Sequence, residues 1–168
     1  MKKCLWIALC LLLVLCACGG EKAEFSESDL SLVVDGNTIT AETTAQELLA
    51  VLGDGYAYAE AISCVYEGMD KTFTYDTMTL YTYPDGETDR LMELYCEGGD
   101  VKTAKGITFG ATKAEIVAQY GEGYTEAGSI LSYELPVSAA GNLPASVYFL
   151  LTDGEVTAIA MTAEHRAE

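Results

Sequence analysis

Few side chains in this chain are equipped for chemistry. The single histidine, His165, stands three residues before Glu168. A Ser-His-Asp or Cys-His nucleophile, or a histidine-based zinc site, would have to be assembled on a chain end, where order is weakest. Of the six cysteines, only Cys64 and Cys96 lie beyond residue 18. In an oxidising compartment they read as a disulfide closing a loop worth roughly 3–4 kcal/mol in the chain-entropy model. Otherwise they read as two small buried hydrophobes. Asp54, Asp85, Asp89, Asp100 and Asp153 stand beside or near glycines, scattered along the chain. No segment gathers the converging oxygens that calcium requires, so these acids read as turn and cap residues. No spacing singles out two carboxylates for glycoside hydrolysis. Residues 19–168 contain no P-loop, G-x-G-x-x-G, H-E-x-x-H, EF-hand or C-x-x-C pattern. The expectation is therefore a chain without catalytic residue, metal or cofactor.

Recognition is the chemistry that remains. All eleven tyrosines follow residue 30, and Tyr75, Tyr81 and Tyr83 are the candidates for a binding face. Tyrosine is large and rigid with a polar tip, which suits an interface anchor. The alternative is that a sheet simply favours Tyr and Thr. Nine basic residues stand against 26 acidic ones, for a formal charge of −17. Such a surface repels nucleic acid and does not adhere to anionic lipid. The acids are spread along the chain, as on a solvated surface.

The N-terminus reads as an address. Lys2 and Lys3 precede an apolar run from Leu5 to Ala17 that is too short to span a bilayer and fits a secretory signal. Leu15-Cys16-Ala17-Cys18, followed by Gly19-Gly20, resembles a bacterial lipobox. The resemblance implies removal of residues 1–17 and diacylglyceryl transfer to Cys18. Two or three acyl chains, at about 0.8 kcal/mol per buried CH₂, would hold the protein on a membrane. Residues 18–30 are then the lipidated cysteine and a flexible polar tether.

Two segments must position whatever binds. Residues 39–56 overlie residues 107–124 at an offset of 68, with identities that include Ile39/Ile107, Thr44/Thr112, Glu47/Glu115, Gly53/Gly121 and Tyr56/Tyr124. Asp85-Gly86-Glu87 meets Asp153-Gly154-Glu155 at the same offset, and Tyr66-Glu67 meets Tyr133-Glu134 one residue out of step. Thr44…Glu47 and Thr112…Glu115 are capping boxes, and Gly53 and Gly121 close the short helices that follow. Strands are expected at Leu32–Val34, Ser63–Glu67, Lys71–Tyr75, Met78–Tyr83 and Arg90–Cys96. In the second half they are expected at Ile107–Phe109, Ile130–Leu135, Ala145–Leu151 and Glu155–Thr162, with Asp-Gly hairpin turns. Val147, Phe149 and Leu151 read as a core set. The fold class is α+β: two tandem helix-plus-antiparallel-meander repeats, residues 31–98 and 99–163, with helices on one face of the sheet and a tail at 164–168.

This order resembles the tandem-repeat β-lactamase-inhibitor-protein-like fold and the single-repeat SmpA/OmlA (BamE-type) outer-membrane lipoproteins. Lys105-Gly106-Ile107-Thr108-Phe109-Gly110-Ala111-Thr112-Lys113-Ala114-Glu115 is similar to the opening of such repeats in uncharacterised Gram-positive lipoproteins. The first unit departs from it, with Glu42 where the second has Gly110. These motifs are caps and turns, so the resemblance implies fold and no catalytic residue. The expected function is a non-enzymatic, lipid-anchored, extracytoplasmic binding or scaffolding module. Its partners would be the membrane, through the lipid, and an envelope or extracellular protein, through a sheet face. The alternative is a small-molecule or glycan-handling protein, conceivably a hydrolase, with a pocket between the repeats.

Overall fold

The computed structural model describes residues 24–138 and 142–164. Cys18, the leader 1–17 and His165 with the rest of the tail lie outside the described residues. The chain is α+β, with antiparallel sheets and two α-helices among the described residues. A hairpin of β1 (Ser31–Val34) and β2 (Asn37–Thr40) leads into α1 (Ala45–Leu52). The meander β3 (Ala57–Ile62), β4 (Met69–Thr74), β5 (Met78–Asp85) and β6 (Thr88–Cys96) follows. After β7 (Val101–Thr103) comes α2 (Lys113–Tyr120), then β8 (Thr125–Ala127), β9 (Ile130–Glu134), β10 (Ser146–Thr152) and β11 (Glu155–Thr162).

Local signals account for the turns and caps. Asp35 and Asp153 adopt φ of 48° and 53°, each followed by a glycine, as a two-residue hairpin turn requires. In α1 the Thr44 hydroxyl accepts from the Glu47 N–H at 3.3 Å and the Glu47 carboxylate accepts from the Thr44 N–H at 2.9 Å. In α2 the corresponding bonds of Thr112 and Glu115 are 3.3 and 2.7 Å. Gly53 and Gly121 end the helices at φ 78°, ψ −172° and φ 84°, ψ −171°, a region essentially reserved for glycine.

Backbone, then side-chain, hydrogen bonds from the threonine hold the carboxyls of Glu47 and Glu115 below the usual 4.5. A depressed folded-state pKa contributes stability that is present above the ordinary glutamate range and lost as pH falls through the lower folded value. The double variant Glu47→Gln, Glu115→Gln is therefore expected to lose less thermal stability than wild type between about pH 5 and pH 3, as followed by far-UV circular dichroism. Identical pH profiles would refute this account of the caps.

Eight strands form one sheet in the order β3-β4-β5-β6-β11-β10-β9-β8, and β2-β1-β7 forms a second. The two meanders join at β6 and β11, which pair antiparallel from Cys96↔Ile159 to Glu93↔Thr162. One parity of the large sheet is buried: Phe73, Leu80, Leu94, Leu131, Tyr133, Val147, Phe149 and Met161. These residues share a single apolar cluster with Leu32, Val34, Ile39 and Val101 of the small sheet and with Leu48, Ile116 and Tyr120 of the helices. Val147 and Phe149 are fully buried as expected, whereas Leu151 is only partly so.

Several expectations change. The first strand of the large sheet is Ala57–Ile62, and residues 63–67 form its turn. Every residue of β3 is exposed, so no alternation marks it. The strand expected at Ile107–Phe109 is replaced by Val101–Thr103, which pairs with β1. Ile107 is buried without joining a strand.

The segment expected to be a tether is docked from Phe25 onward. Phe25 lies 6.0 Å from the rings of both Tyr120 and Tyr133, and Leu30 is buried. Glu27–Asp29 is a 3₁₀ turn in which Asp29 accepts from Ser26 N at 2.9 Å and pairs with Lys105 at 3.2 Å. Two apolar anchors and one carboxylate outweigh the polar composition of this segment.

Candidate docking face and cleft

Strand register sorts the tyrosines. The row Thr79–Tyr95–Ala160–Tyr148–Ser132 crosses β5, β6, β11, β10 and β9 on the parity opposite the core. The adjacent row is Thr72–Tyr81–Glu93–Thr162–Ser146–Glu134. This second face is therefore built of three tyrosines, hydroxyl side chains and a central carboxylate, with Ala160 and Ser146 buried among them. Tyr81 is 37% exposed, and Tyr95, Tyr148 and Glu93 are partly exposed. The Tyr148 phenol donates to Glu93, and the Tyr95 phenol donates to Glu97 at 3.3 Å. Burial, reinforced by the bond to Glu93, raises the Tyr148 pKa, and burial beside Glu97 raises that of Tyr95. Both phenols stay protonated donors at neutral pH.

Of the sequence candidates, Tyr81 belongs to this face. Tyr75 follows β4; its phenol donates to the Gly53 carbonyl at 2.8 Å and its ring lies 5.6 Å from that of Tyr56. In the other half the Tyr133 phenol donates to the Gly121 carbonyl at 2.7 Å, and Tyr124 lies 6.0 Å away. Thus Tyr75 and Tyr133 make the same kind of bond, each to the carbonyl of the glycine that ends a helix. Each of these two tyrosines ties the end of a helix to a strand meander. Tyr83 lies beyond a bulge between Tyr81 and Thr82 and stacks on Tyr66 with ring centroids 4.6 Å apart. Sequence reasoning missed Tyr95 and Tyr148. The alternation of Tyr148 between Val147 and Phe149 carried the signal, because that core set forces Tyr148 outward.

Cys64 and Cys96 are both free, which corrects the disulfide expectation. Cys64 is exposed in the turn after β3, at the sheet edge; Cys96 is buried on β6, three strands away and near the opposite strand end. At about 4.8 Å per strand their separation far exceeds the roughly 7 Å that a bridge tolerates. Burial pushes the Cys96 thiol up to about 12, so it is a protonated hydrophobe.

Where β6 parts from β11, a cleft of about 710 Å³ opens between the two meanders and the docked N-terminal segment. Tyr66 and Tyr83 form one wall and Arg90 lies beside them. The Arg90 Nε donates to Asp85 at 2.9 Å, and its Nη1 is 3.8 Å from Glu42. Of the other acids expected to sit at turns, Asp153 forms a hairpin turn, whereas Asp89 lies on β6 and pairs with Lys71 at 2.6 Å. Among the described residues no helix is long and apolar enough to cross a membrane.

Compared with family models, with curated proteins and with solved structures, the chain matches none.

Proposed function

We propose that this chain is a non-enzymatic, lipid-anchored extracytoplasmic protein that binds a partner protein through the tyrosine face of its large sheet. In this reading Cys18 carries the lipid, the signal ends at residue 17, and the domain is a duplicated helix-plus-meander unit with both helices on the core side. The duplication is supported by the offset identities, the two equivalent caps, the mirrored strand order and the paired Tyr75 and Tyr133 bonds. The kinship with tandem inhibitor-like and SmpA/OmlA-type repeats is part of the same proposal and rests on the sequence motifs.

The observation that carries the binding reading is the group Tyr81, Tyr95 and Tyr148 around Glu93, with Ala160 fully buried beneath the rings. Tyrosines packed side by side offer rigid apolar area with polar tips, and little side-chain entropy is lost on contact. The central Glu93 and a chain of charge −17 select a basic partner surface.

The test places a photo-reactive benzoylphenylalanine at Tyr81, or at Ala50 on α1 as control, in full-length protein in its native envelope. One discrete protein adduct is expected from position 81 and none from position 50. Glu93→Gln, which keeps an acceptor for Tyr148 and removes the charge, is expected to lower the yield about tenfold, as is raising the salt. Cys18→Ser is expected to release the protein from the membrane and abolish the adduct. Equal adducts from both positions, or a yield indifferent to Glu93 and salt, would overturn the reading.

A further inference from the structure

We propose that β3 is a homotypic docking edge, which pairs antiparallel with β3 of a second copy so that Ala59 meets Ala59 on the two-fold axis. β3 is an outer strand of the large sheet and pairs with β4 along Ala57–Ile62 without a register shift. No proline, lysine or bulge interrupts it, and these are the devices that blunt an exposed edge. The opposite edge of the same sheet is blunted. There β8 has only three residues, and Lys113 pairs with its Glu126 at 2.7 Å.

Backbone parity decides which groups of β3 are open. The Ser63 N–H donates to the Gly68 carbonyl at 3.0 Å, in register with the β3–β4 ladder. Bonded pairs alternate, so Ala57, Ala59 and Ala61 bond to β4. The N–H and C=O groups of Tyr58, Glu60 and Ile62 then point away from the sheet, and among the described residues no strand pairs with them. Ile62, at 80%, is the most exposed large hydrophobic side chain among the described residues, and Tyr58 and Val65 are about half exposed.

The strand matches its own copy. In a chain of charge −17, residues 55–66 hold a single charged side chain, Glu60. Acidic surface elsewhere repels a second copy, and this stretch does not. Directly opposed residues of an antiparallel pair lie on one face, so the two-fold axis passes through a residue position. Two centres, Ala59 and Glu60, keep most of β3 paired. Centring on Glu60 sets two carboxylates directly opposite, which is destabilising. Centring on Ala59 sets each Tyr58 opposite Glu60 of the other copy and brings only alanines together on the other face. The Tyr58 phenol already donates to Glu60 along its own strand, a bond that pushes the phenol up to about 12 and keeps it a donor. Tyr58 and Glu60 are also residues with open backbone groups, so each such pair exchanges both main-chain bonds. The register Ala59–Thr72–Tyr81 continues this second face, so the dimer sets two tyrosine groups on one sheet. The pairing itself uses none of Tyr81, Glu93 or Tyr148 and stands apart from the partner-binding reading.

The test is oxidative cross-linking of the full-length protein in its native envelope, in a Cys64→Ser background, read on non-reducing gels. At the Ala59 centre the two Cα atoms lie about 4.5 Å apart, within disulfide reach, whereas two copies of residue 61 lie more than about 12 Å apart. Ala59→Cys is expected to give a covalent dimer in about tenfold greater yield than Ala61→Cys, and the background protein to give none. Adding Glu60→Pro removes one outward N–H and spares the bonds to β4, so it is expected to abolish the dimer with circular dichroism unchanged. Equal dimer from positions 59 and 61, no dimer from 59, an adduct of 59 with a different protein, or a dimer that survives Glu60→Pro would overturn the proposal. If Glu60→Pro unfolds, the comparison of 59 with 61 decides alone.

Discussion

Replacing Leu94 by alanine is expected to lower the unfolding free energy by about 2–5 kcal/mol, in one transition that takes both halves of the molecule together. Leu94 is fully buried on β6, opposite Leu80 of β5 and Met161 of β11, at the seam where the two meanders meet. Truncation there removes the transfer free energy of the lost methyl groups and leaves a cavity that strands on either side cannot fill without breaking register. Against a total stability of about 5–15 kcal/mol, that loss is large. Because one apolar cluster runs from Leu80 to Phe149, the halves have no separate interiors to unfold. Denaturant melts followed by far-UV and near-UV tyrosine signals are expected to coincide in wild type and variant. Two resolved transitions, or a loss below about 1 kcal/mol, would contradict a shared core.

Asp29→Ala is expected to cost about 2–3 kcal/mol, less than the 3–5 typical of a fully buried ion pair because this one is only mostly buried. The substitution removes the acceptor of Ser26 N and Ser26 Oγ. It also strips Lys105 of its carboxylate while that ammonium stays 4.9 Å from the Tyr120 ring. Asp29→Asn keeps an acceptor for Ser26 and is expected to lose roughly half as much. The readouts are the unfolding midpoint and hydrogen exchange at residues 25–30, which are expected to open locally in the alanine variant. Unchanged protection there would show that Phe25 and Leu30 hold the segment without the charge pair.

The contrast between what the sequence announced and what it concealed follows the range of the interactions. Caps, helix ends and Asp-Gly turns are settled within four residues, so Thr44, Glu47, Gly53 and Asp153 were legible. Strand β3 was not. Its residues Ala57–Ile62 include three alanines and a glutamate, and an edge strand with every residue exposed carries no periodic signal. Strand β7 was hidden because its partner β1 lies some 70 residues earlier, beyond any local pattern. The docked segment looked like a tether because two apolar anchors among polar neighbours weigh little in composition and much in contact. The tyrosine face was half legible. Tyr81 was singled out from its run, but the register that sets it on one face with Tyr95 and Tyr148 is a long-range property, and which face stayed open depended on what the small sheet, the helices and the N-terminal segment covered. The cleft was legible only as a possibility, since Tyr66, Arg90 and Glu164 meet through a bulge and a strand divergence that no spacing announces.

The docking of Phe25 sets a length scale. Under the proposed anchoring at Cys18, only the stretch from that cysteine to Phe25 connects lipid to globule, a contour of at most about 25 Å. The domain is then a short-leashed sentinel: it can pivot, but its centre of mass stays within about one domain diameter of the headgroups. Whatever it engages has to approach the bilayer rather than be met far out in the wall or medium.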